Sequence, residues 1–112
     1  MKNIGELEHL ILLALLRLGD SAYGASIRQE IQTRAGRDVA AGALYTILAR
    51  LETKGLVSSR TGEPTAQRGG RRKKHYRLEP LGARALGRSH RALRRMAADL
   101  EDELATLAEV PQ

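Results

Sequence analysis

Arg68, Arg71, Arg72, Lys73, Lys74 and Arg77 fall within ten residues of one another, around the pair Gly69-Gly70 and with no acidic side chain among them. Cations at that density hold phosphate, displacing the counterions that otherwise surround a polyanion. The glycine pair allows a tight turn and a close approach to a groove. Immediately after it Tyr76 and Leu78 alternate with Lys73, His75 and Arg77, the period of a strand with one face inward and one outward. The basic residues therefore read as a hairpin stem and tip that anchor on a nucleic-acid backbone, although a hairpin whose charge only solubilises would show the same pattern.

A second candidate surface precedes it. From Gly42 to Gly55, Leu44, Ile47, Leu48 and Leu51 line one side of a helix. At roughly 100° per residue this turns Gly42, Thr46, Ala49 and Thr53 directly outward, flanked by Tyr45 and Arg50. Threonine and alanine touch thymine methyls or make single hydrogen bonds, and no Asn or Gln is present there to read adenine bidentately. Such a helix in a major groove would rely on phosphate contacts, methyl contacts and DNA shape. Tyr45 and Arg50 are the large candidates on it, for bases or for backbone phosphates. Tyr23 opens the preceding helix, where its hydroxyl and the free N–H groups could take a phosphate, unless it is a half-buried core tyrosine.

Other chemistries find little support. His9, His75 and His90 are scattered, there is no cysteine, and neither an HExxH pattern nor a GxxxxGK[ST] phosphate loop occurs. No acid pair or nucleophile with a base stands out, so we expect no enzyme, no metal and no cofactor. Aromatic residues make up 3% of the chain, leaving only Tyr23, Tyr45 and Tyr76 to stack on unpaired bases, which favours double-stranded DNA as the partner. The apolar run Leu10 to Leu16 is too short to span a bilayer, and Glu6, Glu8 and Arg17 around it do not suit a signal peptide. A soluble protein without membrane partners is expected, and the absence of cysteine fits a reducing cytoplasm. The net charge of +6 hides an asymmetry: all 19 Lys and Arg but only eight of the 13 acidic residues precede residue 97, a surplus of 11.

These surfaces need elements to hold them. Leu7, Leu10, Ile11, Ala14, Leu15 and Leu18 mark a first helix, with Leu12, Leu13 and Leu16 filling its other side, so it must be covered all round. Asp20 or Ser21 is placed to cap a second helix from Ala22 to Ala35 with Ile27, Ile31 and Ala35 inward, ended by Gly36. After the third helix come a strand from Leu56 to Gly62, a loop to about Gly70 and the basic return strand. Glu79-Pro80 then opens a last helix of more than 25 residues, because Leu86, Leu93, Leu100 and Leu107 recur every seventh residue, supported by Ala97 and Leu104. The fold class predicted is mainly α with a small β-hairpin: a winged helix-turn-helix domain over residues 1–79 and a long C-terminal dimerisation helix over residues 80–112. Leu12, Leu16, Leu86, Leu93, Ala97, Leu100, Leu104 and Leu107 are the expected homodimer interface, the alternative being that the last helix folds back on its own domain. In one continuous helix, the arginines from Arg84 to Arg95 followed by Asp99, Glu101, Asp102 and Glu103 would oppose the helix dipole. An antiparallel crossing of two subunits would ease that conflict.

Taken together, Leu7 to Leu18 with Ala22-Tyr23-Gly24, Gly42-Ala43-Leu44-Tyr45-Thr46 with Leu48 and Arg50-Leu51-Glu52, Lys54-Gly55-Leu56-Val57, Gly69-Gly70-Arg71-Arg72-Lys73 and Tyr76-Arg77-Leu78 resemble the PadR-like family of bacterial transcriptional regulators. The resemblance spans about residues 5–88. It implies a homodimeric winged-helix repressor whose C-terminal helix makes the dimer, in the branch with one helix after the wing. Some members of that branch carry a tryptophan on this helix that sandwiches flat drugs across the dimer. This chain has Leu93 at that place, so an effector, if there is one, would meet an apolar cavity between subunits rather than an aromatic stack. A sequence-indifferent chromatin-type DNA-binding protein and a helical protein that docks acidic partners stay open as readings.

Overall fold

A computed structural model of the chain describes residues 4–62 and 73–109. The first helix, α1, spans Glu6–Leu18. The Gly5 N–H donates to Glu8 Oε1 at 2.8 Å, and Glu6 and Glu8 in the first turn suit the positive end of the helix. Ile11, Leu12, Ala14 and Leu15 are buried, Leu10 and Leu13 are half-buried, and only Leu16 of this apolar run stands clear of the domain. Leu12, expected at a subunit interface, is thus a core residue with no exposed surface. The cover that the first helix needs comes largely from α2 and α4 of its own chain.

A 3₁₀ turn over Gly19–Ser21 follows, and α2 runs from Gly24 to Ala35, two residues later than the spacing predicts. The delay has a cause in the sheet: Ala22 is extended, its carbonyl accepts the Tyr76 N–H at 2.9 Å, and Tyr23 bridges His75. Neither Asp20 nor Ser21 caps the helix. Instead the Tyr23 N–H donates to Ser26 Oγ at 3.0 Å, and that hydroxyl donates to the Ser21 carbonyl at 2.6 Å. Ile27 and Ile31 point inward, but Ala35, at the helix end, is exposed. Gly36 stops the helix in the left-handed conformation, φ 64°.

The third helix, α3, covers Ala41–Thr53 and packs Leu44, Leu48 and Leu51 at zero exposure. Strands β1 (Val57–Thr61) and β2 (Lys74–Leu78) pair antiparallel with Val57 opposite Leu78, Ser59 opposite Tyr76 and Thr61 opposite Lys74. Val57 and Tyr76 face the core, as the alternation predicts. Helix α4, Pro80–Ala97, starts with proline in its first turn and lies so close to the hairpin that a Cβ on Gly82 would stand 2.1 Å from the Leu56 carbonyl oxygen.

The single long C-terminal helix is not what forms. Helix α4 ends at Ala97, Asp99 adopts a left-handed φ of 66°, and a separate helix α5 covers Glu101–Ala108. The charge order explains the break. Splitting the segment puts Arg94 and Arg95 in the last turn of one helix and Glu101, Asp102 and Glu103 in the first turn of the next, each charge at the dipole end that favours it. Several such contacts at about 0.3–1 kcal/mol each outweigh the cost of about 1–2 kcal/mol for a left-handed residue, a conformation aspartate tolerates better than most. The dipole conflict that argued for antiparallel crossing therefore disappears. With this arm the radius of gyration is 16.1 Å, against about 13 Å for a compact chain of this length.

Candidate nucleic-acid interface

On α3, Gly42, Tyr45, Thr46, Ala49, Arg50 and Thr53 are all exposed. Because Leu44, Leu48 and Leu51 are fixed in the core, the helix cannot roll, and this outer face is held rigidly. Thr46 Oγ1 donates to the Gly42 carbonyl at 2.9 Å and Thr53 Oγ1 to the Ala49 carbonyl at 3.0 Å. Each hydroxyl proton is thereby occupied, leaving a methyl group and acceptor lone pairs for an outside partner. Thr46, Ala49, Arg50, Thr53 and Lys54 share one shallow concavity. Lys54 is drawn to Glu8 at 3.3 Å and Arg37 to Glu6 at 2.7 Å, whereas Arg50 makes no ion pair among the described residues.

Tyr45 belongs partly to this face and partly to the scaffold. It is 47% exposed, but its hydroxyl lies against α2 so closely that a Cβ on Gly24 would come within 2.0 Å of it. The start of α2, the side of α3 and the hairpin meet here. The Tyr23 ring stands edge-on to His75 with centroids 5.7 Å apart, and Lys73 Nζ lies 4.3 Å from the Tyr23 centroid. Tyr23 is half-buried, which fits the scaffold role the sequence left open, while its cation partner remains at the surface. Lys74, also exposed, places Nζ 5.8 Å from the Tyr76 ring. Burial, with Tyr45 and Glu52 nearby, pushes the Tyr76 phenol above its usual range. Arg68, Gly69, Gly70, Arg71 and Arg72 lie outside the described residues.

Two side-chain ties fix the hairpin to the helices, and neither has a signature in the sequence. Ser59 Oγ donates to Glu52 Oε2 at 2.7 Å, joining β1 to the end of α3, and Ser58 Oγ donates to Glu79 Oε2 at 2.9 Å, joining it to the start of α4. A basic stem so tied keeps a constant offset from the outer face of α3.

A second surface is apolar. Leu16 (64%), Leu93 (61%), Met96 (80%), Leu104 (46%) and Leu107 (65%) are open to solvent, as is Leu100. Ala97 is half-buried, and Leu86, expected in the interface, is 5% exposed because the first half of α4 packs on the chain's own core. Met96, absent from the seven-residue pattern, joins Leu93 beside a groove of about 480 Å³ between α1 and α4, bordered also by Ile4, His9 and Leu10. His9 closes the floor: it is buried, its Nδ1 is 3.0 Å from Ser89 Oγ, and the His90 ring is 6.1 Å away.

The sequence pattern of the Transcriptional regulator PadR-like family matches residues 12–88. The transcriptional regulator Rv3488 of Mycobacterium tuberculosis is 37% identical over 81 residues, 72% of this chain and 71% of that protein. A PadR family transcription regulator from hypervirulent Clostridium difficile superposes with a TM-score of 0.72 at 27% identity, covering 89% of this chain and 99% of its own. A winged-helix DNA-binding protein from STIV has the same fold, with a TM-score of 0.68 at 19% identity over 88% of this chain and 98% of its own.

Proposed function

The chain belongs to the PadR-like family of transcriptional regulators, and we propose that within it the protein is a cytoplasmic homodimeric repressor. Its DNA-binding domain is residues 1–79, residues 80–112 assemble the dimer, and the site is a pseudo-palindromic operator. In this reading α3 enters the major groove with Thr46, Ala49 and Arg50 toward base edges, Gly42 allows close approach, and Tyr45 and Tyr23 border the backbone. Lys73 and Lys74, with Arg68, Arg71 and Arg72 around Gly69-Gly70, grip phosphates. The observation that carries it is the exposed face of α3 held at a fixed offset from a basic stem by the Ser59–Glu52 bond. Two copies related by a twofold axis present two such faces, giving half-sites about one helical turn, some 34 Å, apart or a multiple of it. The groove between α1 and α4 is where an apolar effector would act.

Repression requires site preference, so the test is comparative. Once genomic sites are mapped, Thr46→Ala and Arg50→Ala are expected to lower the ratio of cognate to random affinity, by about 1–3 kcal/mol per lost base contact. Unchanged ratios in both variants would remove α3 as the reader, and equal affinity of the unaltered protein for cognate and random duplex would point to a sequence-indifferent binder.

A further inference from the structure

The side of α4 turned away from the core carries a single sign of charge. Arg84, Arg88, Arg91 and Arg95 are spaced four, three and four residues apart. At roughly 100° per residue this keeps them within about 60° of one another along about 16 Å of helix. Arg94 stands beside this stripe, all five arginines are exposed, and α4 contains no acidic residue. The buried Gly82, Ala85 and Leu86 occupy the opposite side. Arg91, Arg94 and Arg95 border a shallow concavity with Gly87 and Ala98, where Glu101 is the one acidic group. None of Arg84, Arg91, Arg94 and Arg95 is ion-paired among the described residues. A helix face that is merely solvated ordinarily mixes the two signs.

The chemistry of this face selects its partner. A protein interface is anchored by large apolar or aromatic side chains, and a helix lying in a membrane surface needs apolar residues to insert. Beside the arginines this face offers Gly87, Ala98 and His90, with no large apolar side chain. A row of guanidinium groups without apolar anchors fits a row of phosphates, each gripped by a fork of N–H donors. Helix α4 packs on α1, whereas α3 packs on α2 and β1, so the outer faces of α3 and α4 are separate surfaces. The arginines also lie away from Leu93 and Met96, and pairing of copies through those residues leaves them open. We propose that the outer face of α4 is a second duplex-binding surface, indifferent to sequence, which takes the backbone of a DNA segment other than the one under α3 and so lets one bound regulator bridge two segments. A segment of the same DNA molecule meets this face at a raised effective concentration, so a few phosphate contacts suffice. The inference goes beyond the DNA-binding reading above and rests on it.

A capture assay with the full-length protein tests it. Duplex DNA fixed to a support is loaded with protein, washed, and offered a labelled second duplex of unrelated sequence. The native chain is expected to hold the second duplex. The variant with Arg84→Gln, Arg91→Gln and Arg95→Gln should hold about tenfold less of it, while its own retention on the first duplex stays within about twofold of native. Circular dichroism checks that the variant is folded, and Arg91→Gln alone should show the same loss in smaller measure. If the native chain holds no second duplex, or the triple variant holds as much as native, the inference is overturned. An equal loss on both duplexes in the folded variant would put the arginines on the first duplex and overturn it as well. Labelled poly-glutamate offered in place of the second duplex should not be held; if it is held as well as DNA, the face suits an acidic protein and the duplex assignment fails. A native chain that does not bind the first duplex would instead remove the DNA-binding reading itself.

Discussion

A Cβ built on Gly42 would meet no atom of the described residues within 4 Å beyond the helix's own backbone. The lack of a side chain at Gly42 therefore serves no internal packing, and a docked partner is what would require it. Gly42→Ala is expected to leave the melting temperature unchanged or slightly raised, since alanine favours the helix by up to about 1 kcal/mol. Cognate DNA affinity should fall in the same variant, and undiminished affinity would move the groove contact away from the first turn of α3. Lys73 is the opposite kind of residue, a cation held over the Tyr23 ring at the surface. Lys73→Ala should weaken cognate and random duplex by similar factors and reduce the salt slope by about one per lost phosphate contact, one from each copy of the dimer. Selective loss of the cognate site alone would show that the stem reads bases.

Among the elements, the contact of α4 with the hairpin and with α1 makes the sharpest demands. Gly82→Ala drives a methyl into the Leu56 carbonyl and is expected to cost about 1–3 kcal/mol or more in denaturant unfolding, whereas Gly87→Ala, where a Cβ meets nothing within 4 Å, should be neutral or stabilising. Equal effects of the two would contradict the packing described. The α1–α4 seam adds a pH dependence. Burial, and then the neighbouring His90, hold the His9 imidazole below its ordinary value of 6.5. As the unfolded chain takes up this proton first, the stabilisation from neutral His9 is complete above pH 6.5 and is lost as pH falls below it toward the folded value. The melting temperature should fall more steeply over that window in the native chain than in His9→Gln.

The same elements show what sequence reasoning can reach. Helices α1 and α3 and the hairpin stem were legible because one buried face forces a period, 3.6 in Leu44, Leu48, Leu51 and two in Tyr76, Leu78. The Ala22–Tyr23 pairing with β2 was not, since two residues have no period and their partners are more than fifty positions away. The elbow at Asp99 escaped because Leu93, Leu100 and Leu107 keep their spacing across it. The order of charges, arginines and then acids, held the signal for a helix end followed by a helix start. On the face proposed to meet DNA, residue types singled out Thr46, Arg50 and Lys73 as candidates, but the Ser59–Glu52 tie between the hairpin and α3 depends on the folded geometry.

For the molecule as a whole, the proposed dimer would join the uncovered leucines and the positive front of the chain in one arrangement, an apolar end pairing two copies and a basic end meeting DNA twice. Leu93→Glu with Leu100→Glu is expected to yield monomers at micromolar concentration in sedimentation, and persistent dimers would place the interface elsewhere. The measurement that reaches the central claim most directly is the salt dependence of duplex binding by the unaltered protein. With roughly six to ten phosphates neutralised by two hairpins and two helix pairs, the logarithm of affinity should fall against the logarithm of salt concentration with a slope of about −0.9 per contact. A slope near zero would contradict a phosphate-gripping, DNA-binding surface on this chain.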